Sequence, residues 1–361
     1  MKKAAQHPFA ETLITWYKGH ARDLPWRRTN DPYVIWLSEI ILQQTRIAQG
    51  LPYFYKLTEA FPTVYDLATA DETSLFRLWQ GLGYYSRARN LHKTAKYVVD
   101  TLGGKFPDNY AELIHLPGVG PYTAAAIASF AFGKASPVVD GNVYRILARY
   151  FGIETDILHS SARKEFTALA QELIPLSDPA RFNQAIMEFG SLQCSPSPSC
   201  DTCPLQASCV ALRENRVSQL PVKSKAKPQR IRHFHYFIIE KAGKVLVHQR
   251  QAKDIWQGLW EFYCVESTSL KEAIDLHPFL SPLMEHAVAL KAPAIHVLSH
   301  QKIISAAWLL QLPAEFSFKI PKDYQWILSS EFEQLGKPVL LLNLITDNIA
   351  LKEILAPAKL L

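Results

Sequence analysis

The nine residues LPGVGPYTA (116–124) decide the fold that this sequence predicts. They lie between two stretches whose apolar periodicity indicates helices, and Gly118 and Gly120 can adopt backbone angles that other residues resist. Their exposed amide groups, beside the N-terminus of the helix expected over 123–132, form a site that suits a phosphate. The stretch is typical of a hairpin that holds a DNA backbone without reading its sequence, although a plain glycine-rich turn would look similar.

The composition is that of a folded chain with about two domains. The 361 residues are 48% hydrophobic, and 39 basic against 33 acidic side chains give a net charge of +6, which permits nucleic-acid binding without establishing it. No apolar run approaches the ~20 residues that cross a bilayer, and the N-terminal residues lack the apolar core of a signal peptide. We therefore expect a cytoplasmic, nucleoid-associated protein without a membrane segment.

The chain divides at a basic linker. Residues 221–230, PVKSKAKPQR, carry two prolines and four basic but no acidic side chains. Upstream, apolar periodicity predicts helices over 32–49, 67–79, 86–101, 123–132, 143–151 and 163–173. Downstream, apolar residues in alternation predict strands over 234–238, 245–248, 295–298 and 303–310. A helix is predicted over 340–355. We therefore predict a helical domain over 1–220 and a separate α+β domain over 231–361.

Two carboxylates near the hairpin are candidates for acid–base chemistry. Glu39 has apolar neighbours, and burial would raise its pKa to the range that a general acid needs near neutral pH. Asp140 precedes a predicted helix, whose N-terminus favours the ionised carboxylate; taken alone, it would simply cap that helix. One proton donor and one fixed anion form the pair that cleavage of a glycosidic bond requires.

Four of the five cysteines fall close together, at Cys194, Cys200, Cys203 and Cys209. A reducing compartment disfavours disulfides, so this cluster predicts a metal site. Only Cys200 and Cys203 have the C-x-x-C spacing common in zinc sites, and the unequal gaps suit a [4Fe–4S] cluster better, with zinc as the alternative. The fifth, Cys264, is most simply a small buried apolar residue.

These segments together resemble the A/G-specific adenine DNA glycosylases (MutY-like) of the endonuclease III superfamily. The resemblance covers almost the whole chain and rests on LPWRRTNDPYVIWLSEIILQQTRI (24–47), LWQGLGYYSRARNLH (78–92), LPGVGPYTAAAI (116–127), VVDGNVYRILAR (138–149) and the cysteine cluster. It implies an all-α helix-hairpin-helix glycosylase domain with a [4Fe–4S] loop over 194–209, followed by a Nudix-like α+β domain. One departure is the segment between Cys194 and Cys200, which is one residue shorter than is usual in the family.

The implied activity is removal of adenine opposite 8-oxoguanine or guanine in double-stranded DNA, by a protein that acts as a monomer. Bifunctional members of the superfamily carry a lysine where this chain has Tyr122, and a phenol cannot form a Schiff base, so the abasic site should stay uncut. By similarity, Glu39 protonates adenine N7 and later activates water, and Asp140 stabilises the oxocarbenium-like sugar. Tyr122 and Asn142 would support these two acids.

The resemblance also implies substrate contacts in the first domain. The target adenine must leave the base stack to react, and the family's adenine pocket corresponds to Trp26, Arg27, Leu42, Ile47, Gln184 and Glu188. The gap left by the adenine would be filled by a wedge made of Gln44, Leu82 and Tyr84. Thr45, next to Gln44, would also contact the substrate. The hairpin would hold the backbone, with room for a monovalent cation, through Gly118, Val119 and Gly120.

In the second domain, Leu298, Ser299 and His300 match the turn that reads 8-oxoguanine in this family. Ser299 can accept a hydrogen bond from the N7–H that oxidation gives the guanine. The glutamate array that binds magnesium in Nudix hydrolases is missing, so we expect no pyrophosphatase activity.

Two other classes of function stay open. A glycosylase/lyase of the endonuclease III type would cut the strand, which the missing hairpin lysine argues against. A catalytically silent DNA-binding protein would need neither acid, whereas this chain has both Glu39 and Asp140.

Overall fold

The computed structural model describes residues 7–224, 228–291 and 295–355. They form two compact units, one of residues 7–69 with 90–224 and the other of residues 70–89 with the described residues from 228 onward. Residues 225–227 of the predicted linker lie outside the described residues. No helix in the described segments is long and apolar enough to cross a membrane.

Helices make up the chain as far as the linker. Their bounds are α1 Pro8–His20, α2 Pro32–Leu42, α3 Ile47–Ala60, α4 Val64–Thr69, α5 Glu72–Trp79, α6 Ser86–Leu102, α7 Tyr110–Leu113, α8 Pro121–Phe130, α9 Gly141–Phe151, α10 Ser160–Leu173, α11 Pro179–Leu192 and α12 Val210–Arg213. Helix α5 and the start of α6 belong to the second unit. The predicted helices over 86–101, 143–151 and 163–173 are confirmed to within a few residues.

Two predicted helices are interrupted. The helix expected over 32–49 ends at Leu42 and a new one begins at Ile47, because Gln44 adopts a left-handed backbone conformation with φ of 55°. The helix expected over 67–79 is divided before Asp71, whose side chain caps α5 by accepting from the Ser74 amide at 3.0 Å. The first break places a turn at the end of the helix that carries Glu39.

The main core of the first unit joins α1, α9, α10 and α11 around fully buried aromatic rings, among them Phe9, Phe166, Phe182 and Phe189. Helices α9 and α11 approach closely at Gly190, where an added Cβ would lie 2.6 Å from the Cβ of Asn142. This packing fixes both ends of α9, which begins beside Asp140 and ends beside the cysteine loop.

The second unit is built on a mixed sheet whose strands are β1 Arg230–Lys241, β2 Lys244–Gln249, β3 Trp260–Glu266, β4 Ala287–Leu290, β5 His296–Val297, β6 Gln301–Leu312 and β7 Gln325–Leu328. The strand order is β4-β6-β1-β3-β2-β7, with β5 also paired to β6. Strands β1 and β6 are parallel, and the other pairs are antiparallel. The four predicted strands therefore exist, although β5 is shorter than expected.

Helices cover both faces of this sheet. Residues Phe234, Tyr236 and Ile238 of β1 pack with α15 Ser329–Gln334, α16 Val339–Asp347 and α17 Ile349–Leu355. The alternate residues Phe237 and Ile239 pack with α13 Leu270–Leu276 and α14 Leu280–Leu283. The C-terminal helix expected over 340–355 is thus two helices, separated at Asn348.

Candidate active site

Three side chains from distant parts of the first unit line one cavity of about 1290 Å³. Glu39 lies in the last turns of α2, Tyr122 in the first turn of α8, and Asp140 directly before α9. The fold therefore brings the two candidate carboxylates together with the phenol that replaces the lysine of the bifunctional enzymes.

Glu39 is buried, with 7% of its surface exposed. Burial raises its pKa to about 7; the nearby Asp140 carboxylate adds to the rise, while a hydrogen bond from the Tyr122 hydroxyl and the charge of Arg27 oppose it. A carboxyl with this pKa is largely protonated just below neutral pH, as a general acid must be.

Asp140 is the N-cap of α9. Its Oδ1 accepts from the amides of Asn142 and Val143 at 2.9 and 2.8 Å, and its Oδ2 accepts from the Asn142 side-chain amide at 2.8 Å. Burial nevertheless raises the pKa of Asp140 above its ordinary value, and these three hydrogen bonds only reduce the rise. The sequence predicted the capping but not the burial.

Two arginines that sequence reasoning missed connect α9 to the cysteine loop. Arg145 donates to the Asn142 side-chain oxygen at 2.8 Å and to the Cys194 carbonyl at 2.7 Å. Arg149 donates to the Cys194 sulfur at 3.5 Å and to the Ser195 carbonyl at 2.7 Å. Their helical spacing in the motif VYRILAR was the only signal, since both residues follow Asn142 on one face.

Three of the residues expected to form an adenine pocket, Arg27, Gln184 and Glu188, make polar contacts at one face of α11. Glu188 is almost fully buried and accepts from Arg22 and Arg27, each at 2.8 Å. Burial alone would raise its pKa, but the two arginines lower it to about 2. One turn earlier, the Gln184 side-chain oxygen accepts from the Tyr17 hydroxyl at 2.9 Å. Arg22 and Tyr17 were not identified from the sequence.

The remaining pocket candidates differ in their surroundings. Leu42 and Gln44 line the cavity beside Glu39, whereas Trp26 is a buried core residue whose ring meets Phe54 edge-on at 5.1 Å. Thr45 and Ile47 are half-buried. Neither they nor Trp26, Arg27, Gln184 and Glu188 are among the residues that line the cavity.

The hairpin has one glycine that requires its special backbone freedom. Gly118 adopts φ of 72°, and an added Cβ would lie 2.5 Å from the Cβ of Asn90. Gly120 has an ordinary φ of −89° as the N-cap of α8, so the expectation of an unusual angle there was wrong. Among the described residues neither glycine amide donates a hydrogen bond, and Val119 between them is buried. Both amides are therefore open to an anion.

Two cations of α10 line the same cavity and were also missed. Arg163 and Lys164 are exposed, and neither belongs to an ion pair within the described residues. Two adjacent basic residues near a helix start are too common a pattern to have indicated this position.

The four clustered cysteines are half-buried free thiols. Burial, together with the neighbouring Cys194, Cys200 and Cys209, raises the pKa of Cys203 to about 11. The described residues contain no group of three or more His, Cys, Asp and Glu side chains placed to hold a metal ion. The four thiols are nevertheless close enough to influence one another electrostatically.

The candidate wedge residues Leu82 and Tyr84 and the lesion-reading residues lie in the second unit, whereas Gln44 belongs to the first. Leu82 is buried, while Tyr84 is 42% exposed and has a left-handed φ of 48°. Ser299 and His300 form the exposed turn between β5 and β6, with the Ser299 hydroxyl 3.2 Å from His300 Nδ1. The preceding Leu298 packs against the sheet core.

Comparison with known proteins decides the family. Residues 37–174 match the model of the HhH-GPD superfamily base excision DNA repair proteins, and residues 235–347 match the NUDIX domain. The adenine DNA glycosylase of Buchnera aphidicola subsp. Baizongia pistaciae (strain Bp) is 37% identical over 70% of this chain and 73% of that protein. The Homo sapiens adenine DNA glycosylase is 33% identical over 90% of this chain and 71% of that protein. This chain belongs to the adenine DNA glycosylase family.

Solved structures agree with the helical glycosylase part of the fold of this adenine DNA glycosylase family member. A thermostable thymine-DNA glycosylase is 32% identical, with a TM-score of 0.54 over 57% of this chain and 95% of that one. A trapped endonuclease III–DNA covalent intermediate is 24% identical, with a TM-score of 0.50 over 57% of this chain and 94% of that one, and bears on the fold alone. With the NUDIX match, the predicted fold class and family are confirmed.

The buried acid of this family member predicts a pH-dependent stability. The pKa of Glu39 is about 7 in the folded chain and about 4.3 in the unfolded chain. Ionisation of Glu39 therefore destabilises the fold increasingly as the pH rises from about 4 to about 7, fully above pH 7, and not at all below about pH 4. We expect Glu39→Gln to raise the free energy of unfolding by about 3 kcal/mol at pH 8, and by much less at pH 5, in urea titrations.

Glu188→Gln is the matched control. It removes the charge that pairs with Arg22 and Arg27, so it should lower the free energy of unfolding at both pH values. If the free energies of unfolding of wild type and Glu39→Gln changed in parallel with pH, Glu39 would not be a buried carboxyl with a raised pKa.

Proposed function

We propose that this protein is a monofunctional adenine DNA glycosylase that hydrolyses adenine opposite 8-oxoguanine or guanine in double-stranded DNA. Its family membership makes it a DNA N-glycosylase of base excision repair. The observation that carries the finer proposal is the shared cavity of Glu39, Tyr122 and Asp140. A phenol in place of an amine favours base removal without strand cutting.

Base release begins with proton transfer. Once the adenine has left the stack and entered the cavity, protonated Glu39 donates to adenine N7. The bond from sugar C1′ to N9 then breaks, and its electron pair leaves with the neutral purine. The Tyr122 hydroxyl donates to the Glu39 carboxyl and keeps it oriented.

Asp140 stabilises the positive sugar that results. The three N–H donors from Asn142 and Val143 hold its two oxygens in place, so the carboxylate need not reorganise as charge develops. Deprotonated Glu39 next takes a proton from a water molecule, whose oxygen bonds to C1′. The product is an abasic site, and the acid is restored.

Adenine recognition falls to the α11 face. The Gln184 side-chain oxygen is engaged by Tyr17, which leaves its amide N–H groups to donate to the adenine edge. Arg22 and Arg27 hold Glu188 ionised, since they lower its pKa to about 2 against the effect of burial. The ionised carboxylate can accept from the adenine amino group.

The DNA backbone is bound by amides and local cations. The open N–H groups of Gly118 and Gly120, beside the N-terminus of α8, favour one phosphate, and a monovalent cation can assist there. Arg163 and Lys164, which line the cavity without ion pairs in the described residues, favour others. We propose that the protein acts as a monomer at the nucleoid.

The cysteine loop is proposed to hold a [4Fe–4S] cluster through Cys194, Cys200, Cys203 and Cys209. Burial and the neighbouring cysteines raise the pKa of Cys200, Cys203 and Cys209, and four thiols this close together fit a cluster whose cationic core would take them up as thiolates. Such a cluster would supply structural crosslinks to the loop, and an iron count on the purified protein tests this assignment.

A duplex with one A:8-oxoguanine pair tests the activity. We expect the protein to release adenine and to leave the strand intact until alkali cleaves the abasic site. Strand cutting without alkali would indicate a lyase, and DNA binding without base release would indicate a silent binding protein; either result contradicts the proposal.

The turn between β5 and β6 predicts lesion specificity. Ser299 can accept from the N7–H of 8-oxoguanine, and the Gln229 side chain fixes the turn by donating to the Leu298 carbonyl at 2.9 Å. Replacement of both Ser299 and His300 by Ala should reduce the preference for 8-oxoguanine over guanine roughly tenfold, in single-turnover rates on matched duplexes.

Glu285→Ala, on the same unit before β4, serves as the control and should keep the wild-type preference. An unaltered preference in the Ser299/His300 double variant would mean that the lesion is read by other residues.

A further inference from the structure

The segment that carries Leu82 and Tyr84 is part of the second unit. The Tyr85 hydroxyl donates to the Lys337 carbonyl at 3.3 Å, and the Lys337 amide donates to the Gln80 side-chain oxygen at 3.3 Å. The Arg89 guanidinium donates to the Gln257 carbonyl. Hydrogen bonds on both sides of the turn thus tie it to the loop before β3 and to the loop after α15.

Two glycines allow this attachment to be close. An added Cβ at Gly258 would lie 2.9 Å from the Phe76 ring, and one at Gly336 would lie 3.0 Å from the Phe76 Cβ. Phe76 is buried and meets the Tyr85 ring edge-on at 5.9 Å. The two loops therefore press directly on α5, the helix that leads into the turn.

Inside the turn, Arg87 holds the backbone that presents Tyr84. Its guanidinium stacks over the rings of Trp79 and Tyr84 at 5.3 and 5.4 Å, and it donates to the carbonyls of Leu82 and Gly83 at 3.3 and 3.2 Å. A left-handed tyrosine is uncommon and persists only where its surroundings impose it. The half-exposed ring is thus held outward by contacts that the second unit completes.

We propose that the loops bearing Gly258 and Gly336, with Lys337, position the Tyr84 turn for insertion into the base stack. The inference rests on the proposed function, because it assigns the wedge role to Leu82 and Tyr84. The Nudix-like unit then contributes to extrusion of the adenine as well as to reading the opposite base. These loop residues act as positioning residues, since they reach the DNA only through the turn.

Gly336→Ala is the direct test. The backbone of Gly336 is not in the left-handed region, so the added methyl crowds Phe76 without backbone strain. We expect single-turnover release of adenine from an A:8-oxoguanine duplex to fall roughly tenfold, because small displacements of a positioning element have effects of this size.

Gly243→Ala is the control for general destabilisation of this unit. Gly243 has φ of 74° in the β1–β2 turn and open space around its Cβ, so the substitution strains the same unit away from α5. Its rate should stay at the wild-type value. Equal slowing in both variants, or none in Gly336→Ala, would overturn the proposal.

Two further readouts separate positioning from chemistry. On a substrate whose target adenine lies in an unpaired bubble, extrusion needs no wedge, so Gly336→Ala should match wild type; an equal defect there would overturn the proposal. Fluorescence of 2-aminopurine beside the mispair reports insertion without base release. Most of its rise on binding should be lost in Gly336→Ala, and a full rise would also overturn the proposal. Wild type that inserts but releases no adenine would instead refute the proposed function.

Discussion

The burial of one carboxyl group is the constraint on which the site depends. Glu39 lies on an apolar helix and loses its water, and the loss of hydration raises its pKa to about 7. The Tyr122 hydroxyl, which donates a hydrogen bond to this carboxyl, comes from the first turn of α8, two residues after the hairpin glycine Gly120. One short segment thus carries both the amides proposed to bind a phosphate and the phenol that contacts the acid, so the proposed backbone contact and the position of the acid are set together.

Helix α9 gives the second carboxylate its place. Its N-terminal amides hold Asp140, and Arg145 and Arg149 on later turns hold the backbone of the cysteine loop. The close approach at Gly190 fixes this helix against α11, which presents Gln184 and Glu188. The acid, the anion and the proposed adenine-binding face are therefore supported by neighbouring elements of the first unit.

Features that depend on a few adjacent residues could be predicted from the sequence. The hairpin, the capping role of Asp140 and the burial of Glu39 follow from local pattern, since glycine, an acid before a helix and an apolar run each have a direct structural effect. The break at Gln44 and the ordinary angle of Gly120 were not predicted, because no local sequence pattern marks either of them. The packing of 70–89 with the sheet unit was likewise hidden, since its partners lie far away in the sequence.

The pH dependence of base release tests the central claim most directly. If buried Glu39 must donate a proton, the single-turnover rate on an A:8-oxoguanine duplex should fall as the pH rises through about 7, by about tenfold per unit well above it. A rate that stays level or increases between about pH 7 and 9 would contradict the account, because it would mean that the acid is not this carboxyl.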